Sequence, residues 1–350
     1  MNTNTTRVVL AVAVGGLFAG CTLDDFGTGF KGADQIRTET FTQQEPSTAD
    51  VLWVVDTSCS MADEQEALAE NFPAFLTLFL ERSLAFNMAV TSTNIWEDES
   101  EGLDGQMNGD PYVMTQDDAD IEALFVERAL MGIDEGHGAE KGLTAAHQAL
   151  EVLGDSVNQG FLRDDAHLAI IVVSDEPDYS AQANDSALVD WEEFAEWLNA
   201  FKGPTGQRMA DLSVIVGIGE DGFEDPRGCN QPENGDGAGG GSGPGGQGEG
   251  ARRGDGYLEA ALATGGLIGS ICEPDWGDLL GRVGLRATGL LDAFELTEVP
   301  ALDTVTVRVN GRFITEWDYF EVDNSVRFTT VDAVPQPGEV IEIRYEVPSE

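Results

Sequence analysis

The chain has few basic side chains. Its 350 residues include 18 Lys and Arg against 64 Asp and Glu, which gives a formal net charge of −46. A surface of this sign repels nucleic-acid phosphates and anionic lipid headgroups, so the composition excludes nucleic acid as a partner. With 41% hydrophobic residues, including 17 Phe, the chain is nevertheless apolar enough to bury a core.

The sequence also lacks any stretch that is apolar for long enough to form a transmembrane helix. Residues 8–19 are apolar but short, and they follow Arg7 in the pattern of an export signal. The segment Leu17-Phe18-Ala19-Gly20-Cys21 resembles a bacterial lipobox. We therefore expect residues 1–20 to be a lipoprotein signal peptide and Cys21 to carry the lipid. The alternative is an ordinary cleaved signal followed by a free thiol.

The residue after Cys21 bears on the location of the protein. By analogy with other lipoproteins, Thr22 in place of Asp favours sorting to the outer membrane. The expected location is therefore exported and lipid-anchored, on the periplasmic or the cell-surface face of the outer membrane. Contact with the membrane is expected through the lipid anchor only.

Cysteine is scarce as well, with four residues in the chain. An exported protein can form disulfides. After lipidation of Cys21, three thiols are left and at most one pair can form. Cys229 and Cys272 flank the most irregular stretch of the sequence, where a covalent link would limit the freedom of the loop, so we expect them to pair. Cys59 is then expected to be a small buried hydrophobic residue.

Apolar strands alternate with amphipathic helices over much of the chain. Strands are predicted at residues 50–55, 86–91, 167–173 and 212–218. Helical spacing occurs at residues 64–80, 118–130, 139–153, 191–201 and 257–264. Because runs that are apolar throughout are typical of strands covered on both faces, this pattern predicts an α/β fold class with a doubly wound, mostly parallel sheet flanked by helices.

Three segments fall outside this alternation. Residues 21–47 are polar, which predicts a flexible tether between the lipid and the folded body. Residues 219–255 are rich in Gly and are predicted to be a flexible insertion in a domain that spans residues 48–290. In residues 291–350 the apolar period becomes two and Asn310-Gly311 is typical of a hairpin turn, so we expect a small C-terminal antiparallel β module.

The strongest chemical signal directly follows the first predicted strand, in Asp56-Thr57-Ser58-Cys59-Ser60. In an open α/β sheet, ligands bind beyond the carboxyl ends of the strands. Residues two apart in an extended segment face the same way, so the oxygens of Asp56, Ser58 and Ser60 can converge. An all-oxygen site favours a hard divalent cation, with Mg²⁺ expected and Mn²⁺ or Ca²⁺ as alternatives. The other interpretation of these residues is ordinary helix capping.

Residues 48–290 resemble the von Willebrand factor A (vWA) family, whose metal-ion-dependent adhesion site (MIDAS) is built on Asp-x-Ser-x-Ser. In that family an Asp at the end of a later strand completes the site, often through water. Asp175, in Val173-Ser174-Asp175-Glu176-Pro177-Asp178, matches that position. The resemblance implies a vWA/Rossmann-like fold. Cys59 within the motif, Gly142-Leu143-Thr144-Ala145-Ala146, and Ser270-Ile271-Cys272-Glu273 are similar to a group of bacterial envelope vWA-domain lipoproteins of unassigned function.

One element departs from the family. Its members usually supply a Thr hydroxyl from the loop before the middle helix, but residues 132–140 contain no Thr. Counting back from the helix places His137 nearest that position. His137 is either a further metal ligand, which would suit Mn²⁺ or Zn²⁺ better than Mg²⁺, or only a loop residue, with water replacing the missing hydroxyl.

A functional expectation follows from the charges around the cation. Two neutral hydroxyls leave a divalent cation under-neutralised, so a carboxylate from a protein or peptide partner is a favourable extra ligand. The chain is thus expected to be a cell-envelope lipoprotein that adheres through a cation and is not an enzyme. A hydrolase dyad of Cys59 with His137, His147 or His167 is disfavoured because Cys59 points away from the strand-end pocket. The alternative function is a metal-independent structural or assembly component of the envelope.

Overall fold

A computed structural model describes residues 35–43, 48–81, 84–95, 103–132, 140–182, 190–202, 209–219, 228–229, 250–321 and 324–348. The predicted signal peptide at residues 1–20, the lipidation site Cys21 and the candidate ligand His137 lie outside these ranges. So does most of the predicted insertion at residues 219–255.

Helices and strands alternate through the central part of the described chain. The strands are β1 Gln35–Thr42, β2 Thr48–Val55, β3 Ala85–Ser92, β4 Met114–Thr115, β5 His167–Ser174, β6 Ala210–Val216, β7 Ile268–Ser270, β8 Ala293–Glu295, β9 Thr306–Val309, β10 Arg312–Ile314, β11 Trp317–Phe320, β12 Ser325–Phe328 and β13 Val340–Val347. The helices are α1 Ala62–Glu81, α2 Ile121–Ala129, α3 Gly142–His147, α4 Trp191–Phe201, α5 Tyr257–Thr264 and α6 Trp276–Ala287. A π-helical turn, Gln148–Val152, continues α3.

A six-stranded sheet in the order β4-β3-β2-β5-β6-β7 forms the centre of the fold. β2 pairs in parallel with β3 on one side and with β5 on the other, and β6 and β7 continue the parallel pairing. The short edge strand β4 is antiparallel to β3. The prediction of a mostly parallel sheet is therefore confirmed.

Helices cover both faces of this sheet, which explains why its strands are apolar throughout. Side chains of β2 alternate between two hydrophobic clusters: Val51, Trp53 and Val55 lie on one face, and Leu52 and Val54 lie on the other. The first cluster is completed by α1, α2 and α6, and the second by α3, α4 and α5. Burial on two faces requires strands without polar alternation.

The remaining strands form two antiparallel sheets, a four-stranded one in the order β1-β13-β9-β10 and a three-stranded one in the order β11-β12-β8. They enclose a third hydrophobic cluster. The predicted hairpin turn is confirmed: β9 and β10 pair through Val309 and Arg312, and Asn310 and Gly311 have φ values of 49° and 79°. Two successive positive φ angles favour Asn-Gly in a two-residue turn.

Part of the predicted tether is wrong. Within residues 21–47, β1 forms a strand that pairs along its whole length with β13, and the Phe41 ring lies 5.2 Å from that of Phe294. The antiparallel module therefore contains residues from both ends of the described chain and not only from 291–350. β1 is polar because most of its side chains are exposed, so it lacks the apolar run by which strands are found in a sequence.

The expectation for Cys59 is also wrong, whereas the predicted disulfide is confirmed. Cys229 and Cys272 are joined. Cys59 is a free, exposed thiol at the start of the 3₁₀ turn Cys59–Met61, because it lies past the end of β2 and outside the buried part of the strand. Among the described helices, none is long and apolar enough to cross a bilayer.

Candidate cation site

The candidate site lies at the carboxyl ends of β2 and β5, which are neighbours in the sheet. Asp56 follows β2, and its backbone N–H donates to the Val173 carbonyl of β5 at 2.9 Å. Asp175 follows the last residue of β5, Ser174. Parallel pairing brings both strand ends to the same edge of the sheet, so the two loops meet there.

Three of the predicted ligands converge in this place. The Ser58 and Ser60 hydroxyl oxygens are 3.2 Å apart, and the Ser58 hydroxyl donates to Asp175 Oδ1 at 3.4 Å. Ser60 also hydrogen-bonds the Asp175 carboxyl. All three side chains are partly or largely buried. Two hydroxyls and one carboxyl therefore form a compact group of oxygen atoms at this edge.

Asp56 lies beneath this group and is fully buried. Its Oδ1 accepts a hydrogen bond from the Ser58 backbone N–H at 2.7 Å, and its Oδ2 accepts one from the Ser174 hydroxyl at 2.6 Å. Burial raises the pKa of Asp56 well above its usual range, and the neighbouring Glu140 and Asp175 carboxyls raise this pKa further. No Lys, Arg or His within the described ranges forms an ion pair with Asp56. A buried carboxylate without a cationic partner is costly at neutral pH.

Burial likewise raises the pKa of Asp175, although the hydrogen bonds from Ser60 and Ser58 and the charge of Arg252 act in the opposite direction. Arg252 is partly exposed and lies 3.6 Å from Glu176, and its backbone N–H donates to the Asp175 carbonyl at 2.8 Å. The loop after β5 is thus fixed by the segment that leads into α5. This arrangement keeps the Asp175 side chain directed at the two serines.

Glu140 is a neighbour of the site that the sequence did not reveal. Its side chain is only 1% exposed, and its Oε2 accepts a hydrogen bond from the Thr93 hydroxyl. Its carboxyl is also within hydrogen-bonding reach of Asp56, while Oε1 has no donor among the described residues. Burial raises the pKa of Glu140 to about 7. Glu140 lies in the loop before α3, where the resemblance to the vWA family predicts a hydroxyl ligand. Its position in that loop is the sequence signal that could have identified it.

The start of α3 is held in place by side chains from two other segments. The backbone N–H groups of Gly142, Leu143 and Thr144 donate to the Tyr257 hydroxyl at 3.0 Å, to Asp178 Oδ1 at 3.2 Å and to the Ser180 hydroxyl at 3.2 Å, respectively. Burial raises the pKa of Asp178 to about 7. These bonds hold the start of the helix at the edge of the sheet, and with it Glu140, which lies two residues before Gly142.

The acidic and imidazole side chains do not by themselves form a metal centre in the described part of the chain: no group of three or more His, Cys, Asp or Glu residues is placed to hold an ion. Any cation here would therefore need the serine hydroxyls among its ligands. His137, predicted as a possible ligand, is not among the described residues. Its role stays a prediction.

Two of the histidines considered for a hydrolase dyad lie away from Cys59. His167 begins β5, at the end of the strand opposite to the site, and its Nε2 lies 3.0 Å from Asp211 Oδ2. The His147 ring packs against Trp197 with ring centroids 4.7 Å apart. Neither histidine therefore forms a dyad with Cys59.

No family model matches the chain, and no curated protein resembles it in sequence. Among solved structures, a proximal thread matrix protein from the mussel byssus has a TM-score of 0.37 at 13% identity, over 74% of this chain and 51% of its own. The pilus adhesin SpaC from Lactobacillus rhamnosus GG, in an open conformation, has a TM-score of 0.35 at 12% identity, over 92% of this chain and 43% of its own.

The pilus adhesin RrgA from Streptococcus pneumoniae has a TM-score of 0.33 at 9% identity, over 89% of this chain and 58% of its own. The chain thus spans about half the length of the structures it matches. At this level of similarity, what those proteins bind is no guide to what this chain binds.

Proposed function

We propose that this chain is a cell-envelope lipoprotein with a vWA-like domain that binds a protein or peptide ligand through a divalent cation. The observation that supports this most is the meeting of the Ser58 and Ser60 hydroxyls with the Asp175 carboxyl above the buried Asp56. The 3₁₀ turn Cys59–Met61 follows Ser58 directly and brings the Ser58 and Ser60 hydroxyl oxygens to 3.2 Å from each other.

The donor set fits a hard divalent cation. The side chains that form the group, Ser58, Ser60 and Asp175, all offer oxygen, and no described basic residue forms an ion pair with the buried Asp56 beneath them. Ser58 and Ser60 would hold the ion through their hydroxyls, and Asp56 and Asp175 would hold it directly or through water. Mg²⁺ is the expected ion, with Mn²⁺ or Ca²⁺ as alternatives, because such sites commonly combine one or two carboxylates with retained waters.

The bound cation would supply a positive charge at the surface of an otherwise acidic protein. A partner's carboxylate would bind to that charge, and contacts around it would give specificity. Because the net charge of −46 repels an acidic partner at long range, association would depend on the short-range bond to the metal. This is an adhesive function and involves no catalysis.

The second candidate is a structural or assembly component of the envelope that works without metal. It is favoured by one observation, namely that three acidic or imidazole side chains do not already form a metal-binding group in the described residues. In both candidates the protein is exported, lipidated at Cys21 and anchored in the outer membrane. These three features are proposals that derive from the N-terminal sequence.

Capture of envelope proteins by the purified full chain separates the two candidates. With Mg²⁺ present, the wild-type chain is expected to retain a partner that is released by a chelator and is not retained by Asp56→Ala. The control is Glu66→Ala, which removes an exposed acid of α1 and is expected to behave like the wild type. A partner retained equally with chelator and by Asp56→Ala would contradict the cation-dependent function and support the second candidate.

A further inference from the structure

Glu140 combines three properties that the fold itself does not require. It is only 1% exposed, and its Oε1 has no hydrogen-bond donor among the described residues. Its carboxyl also lies within hydrogen-bonding reach of the Asp56 carboxyl. Two ionised carboxylates are both acceptors, so they cannot bond to each other directly. Their proximity in a buried place requires a proton or a cation between them.

The backbone of Glu140 is firmly held, so its position is not incidental. Its carbonyl accepts a hydrogen bond from the Tyr179 N–H at 2.7 Å, and the N–H of the next residue, Lys141, donates to the Thr93 carbonyl at 3.0 Å. The Thr93 hydroxyl binds Oε2 and leaves Oε1 available. The loops after β3 and β5 therefore place this carboxyl beside the candidate cation site.

We infer that Glu140 is a carboxylate ligand of the cation. This inference rests on the proposed function. Glu140 takes the place of the neutral hydroxyl that is expected before α3, and it adds a negative charge there. Asp56 and Asp175 alone balance a divalent ion, whereas with Glu140 the chain supplies one charge more than the ion carries. The cation is then held tightly, and its attraction for a further carboxylate is reduced.

Coordination by Glu140 needs a small rearrangement. Because the described acidic side chains do not yet form a metal-binding group, the Glu140 side chain has to turn so that Oε1 points to the ion between Asp56 and the serines. The Thr93 hydroxyl bonds to Oε2, so Oε1 is the oxygen available to the ion. Glu140 thus acts as an internal ligand whose charge lowers the attraction of the cation for a partner's carboxylate.

Calorimetric titration of the full chain with Mg²⁺ and with Mn²⁺ tests the first half of the inference. Glu140→Gln preserves shape and removes charge, and we expect it to raise the dissociation constant by about 10-fold or more. The matched control is Glu176→Gln, which removes a nearby carboxylate that instead faces Arg252, and a change of less than about 3-fold is expected. Equal effects of the two substitutions would overturn the inference. They would show that the affinity for the cation depends only on the overall negative charge near the site and not on coordination by Glu140.

The same titration separates the failure of this inference from the failure of the proposed function. If the wild-type chain binds neither ion, both are wrong. If the wild type and Glu140→Gln bind with equal affinity and Ser58→Ala binds neither ion, the cation site stands and only the role of Glu140 is wrong. Circular dichroism of each variant shows whether it is folded.

Terbium luminescence tests the second half. Lifetimes of bound Tb³⁺ in H₂O and D₂O count the waters on the ion, and Glu140→Ala is expected to show about one more water than the wild type. Added acetate is expected to displace that water in Glu140→Ala and to have little effect on the wild type. An unchanged water count, or equal displacement by acetate in both proteins, would contradict the inference.

Discussion

The two ends of β2 each bury an aspartate, but the two aspartates have opposite surroundings. Asp50, near the start of the strand, accepts hydrogen bonds from Arg163 at 2.7 Å and 2.8 Å, and the Lys202 ammonium lies 3.9 Å away. Asp56, just past the end, has two neutral donors and two neighbouring carboxyls. Burial raises the pKa of both, yet basic residues oppose the rise only at Asp50.

This difference distinguishes a structural ion pair from a candidate binding site. At the amino end, the chain supplies its own cations, so the buried charge is complete and serves to join β2 to the segment before β5. At the carboxyl end, three acidic side chains lie close together, those of Asp56, Glu140 and Asp175. No described basic residue forms an ion pair with Asp56. A fold that tolerates such an arrangement is less stable there unless a cation or protons compensate.

Asp50→Ala is expected to have the largest effect on stability. It leaves the Arg163 guanidinium and the Lys202 ammonium without their buried partner, so the free energy of unfolding should fall by about 3 kcal/mol or more. Urea denaturation in the presence of chelator measures this loss. The cation affinity of the folded variant should be unchanged, and a strong loss of affinity would show that the two ends of β2 are not independent.

The pH dependence of stability is expected to come from the carboxyl end. The folded-state pKa values of Glu140 and Asp178 are about 7 and that of Glu64 is about 6, all above the ordinary values of 4.5, 3.8 and 4.5. The folded state therefore binds more protons than the unfolded state between about pH 4 and pH 7. The stability that these groups contribute is complete below about pH 4 and is lost as the pH rises through about 7.

Without divalent cations, the free energy of unfolding should therefore decrease by about 2 kcal/mol between pH 5 and pH 8. Urea denaturation at both pH values, with and without Mn²⁺, measures the effect. Mn²⁺ should reduce the decrease, and Asp178→Asn should reduce it as well. Stability that rises over this interval in the cation-free protein would contradict the assigned surroundings of these carboxyls.

Asp56→Asn is expected to act in the opposite direction to Asp50→Ala. Burial raises the pKa of Asp56, so the ionised carboxylate is unfavourable in the folded state, and its replacement by a neutral amide should stabilise the cation-free protein at pH 8. The same variant should bind Mg²⁺ or Mn²⁺ at least about 100-fold more weakly. Thermal unfolding and calorimetry check both parts. A variant that is less stable than the wild type without cations would show that Asp56 is a structural residue like Asp50.

The smallest effect is expected for Cys59→Ala. The thiol is exposed, so the free energy of unfolding should change by less than about 0.5 kcal/mol. The affinity for Mn²⁺ should stay within about 2-fold of the wild type. A large change in either quantity would place Cys59 in the site, where the geometry does not put it.

The central sheet could be predicted from the sequence because burial on both faces leaves a direct signal. The apolar runs at residues 50–55 and 167–173 lie within the observed strands β2 and β5, and α4 and α5 have the predicted ends at 191–201 and 257–264. Polar or glycine-containing elements give no such signal. β1 was missed because it is an exposed strand that pairs across the length of the chain.

The helix α6 was missed for a similar reason. It contains Gly277, Gly281 and Gly284, which lower its helix propensity. Gly284 is required for packing, since a Cβ there would lie 2.9 Å from the Phe75 carbonyl oxygen of α1. Tertiary contacts between α1 and α6 therefore override the local preference, and no local pattern predicts them.

In the site, four residues could be predicted: Asp56, Ser58, Ser60 and Asp175. The motif that begins at Asp56 directly follows the buried strand β2, and Asp175 directly follows the buried strand β5. Glu140 could not, because its place depends on a loop before α3 that the sequence does not fix. The same uncertainty led to His137 as the candidate from that loop. Proximity to Asp56 depends on the backbone hydrogen bonds that Glu140 and Lys141 make with Tyr179 and Thr93, and such contacts across distant segments have no periodic signature.

A crystal structure of the full chain grown with Mn²⁺ shows whether the carboxyl end of β2 holds a divalent cation. Anomalous scattering at the manganese edge locates the ion without reference to the protein. We expect one peak within bonding distance of the Ser58 and Ser60 hydroxyls, beside Asp56 and Asp175. Crystals that show no peak at this edge of the sheet, with Ser58 and Ser60 accessible to solvent and Mn²⁺ at millimolar concentration, would contradict it.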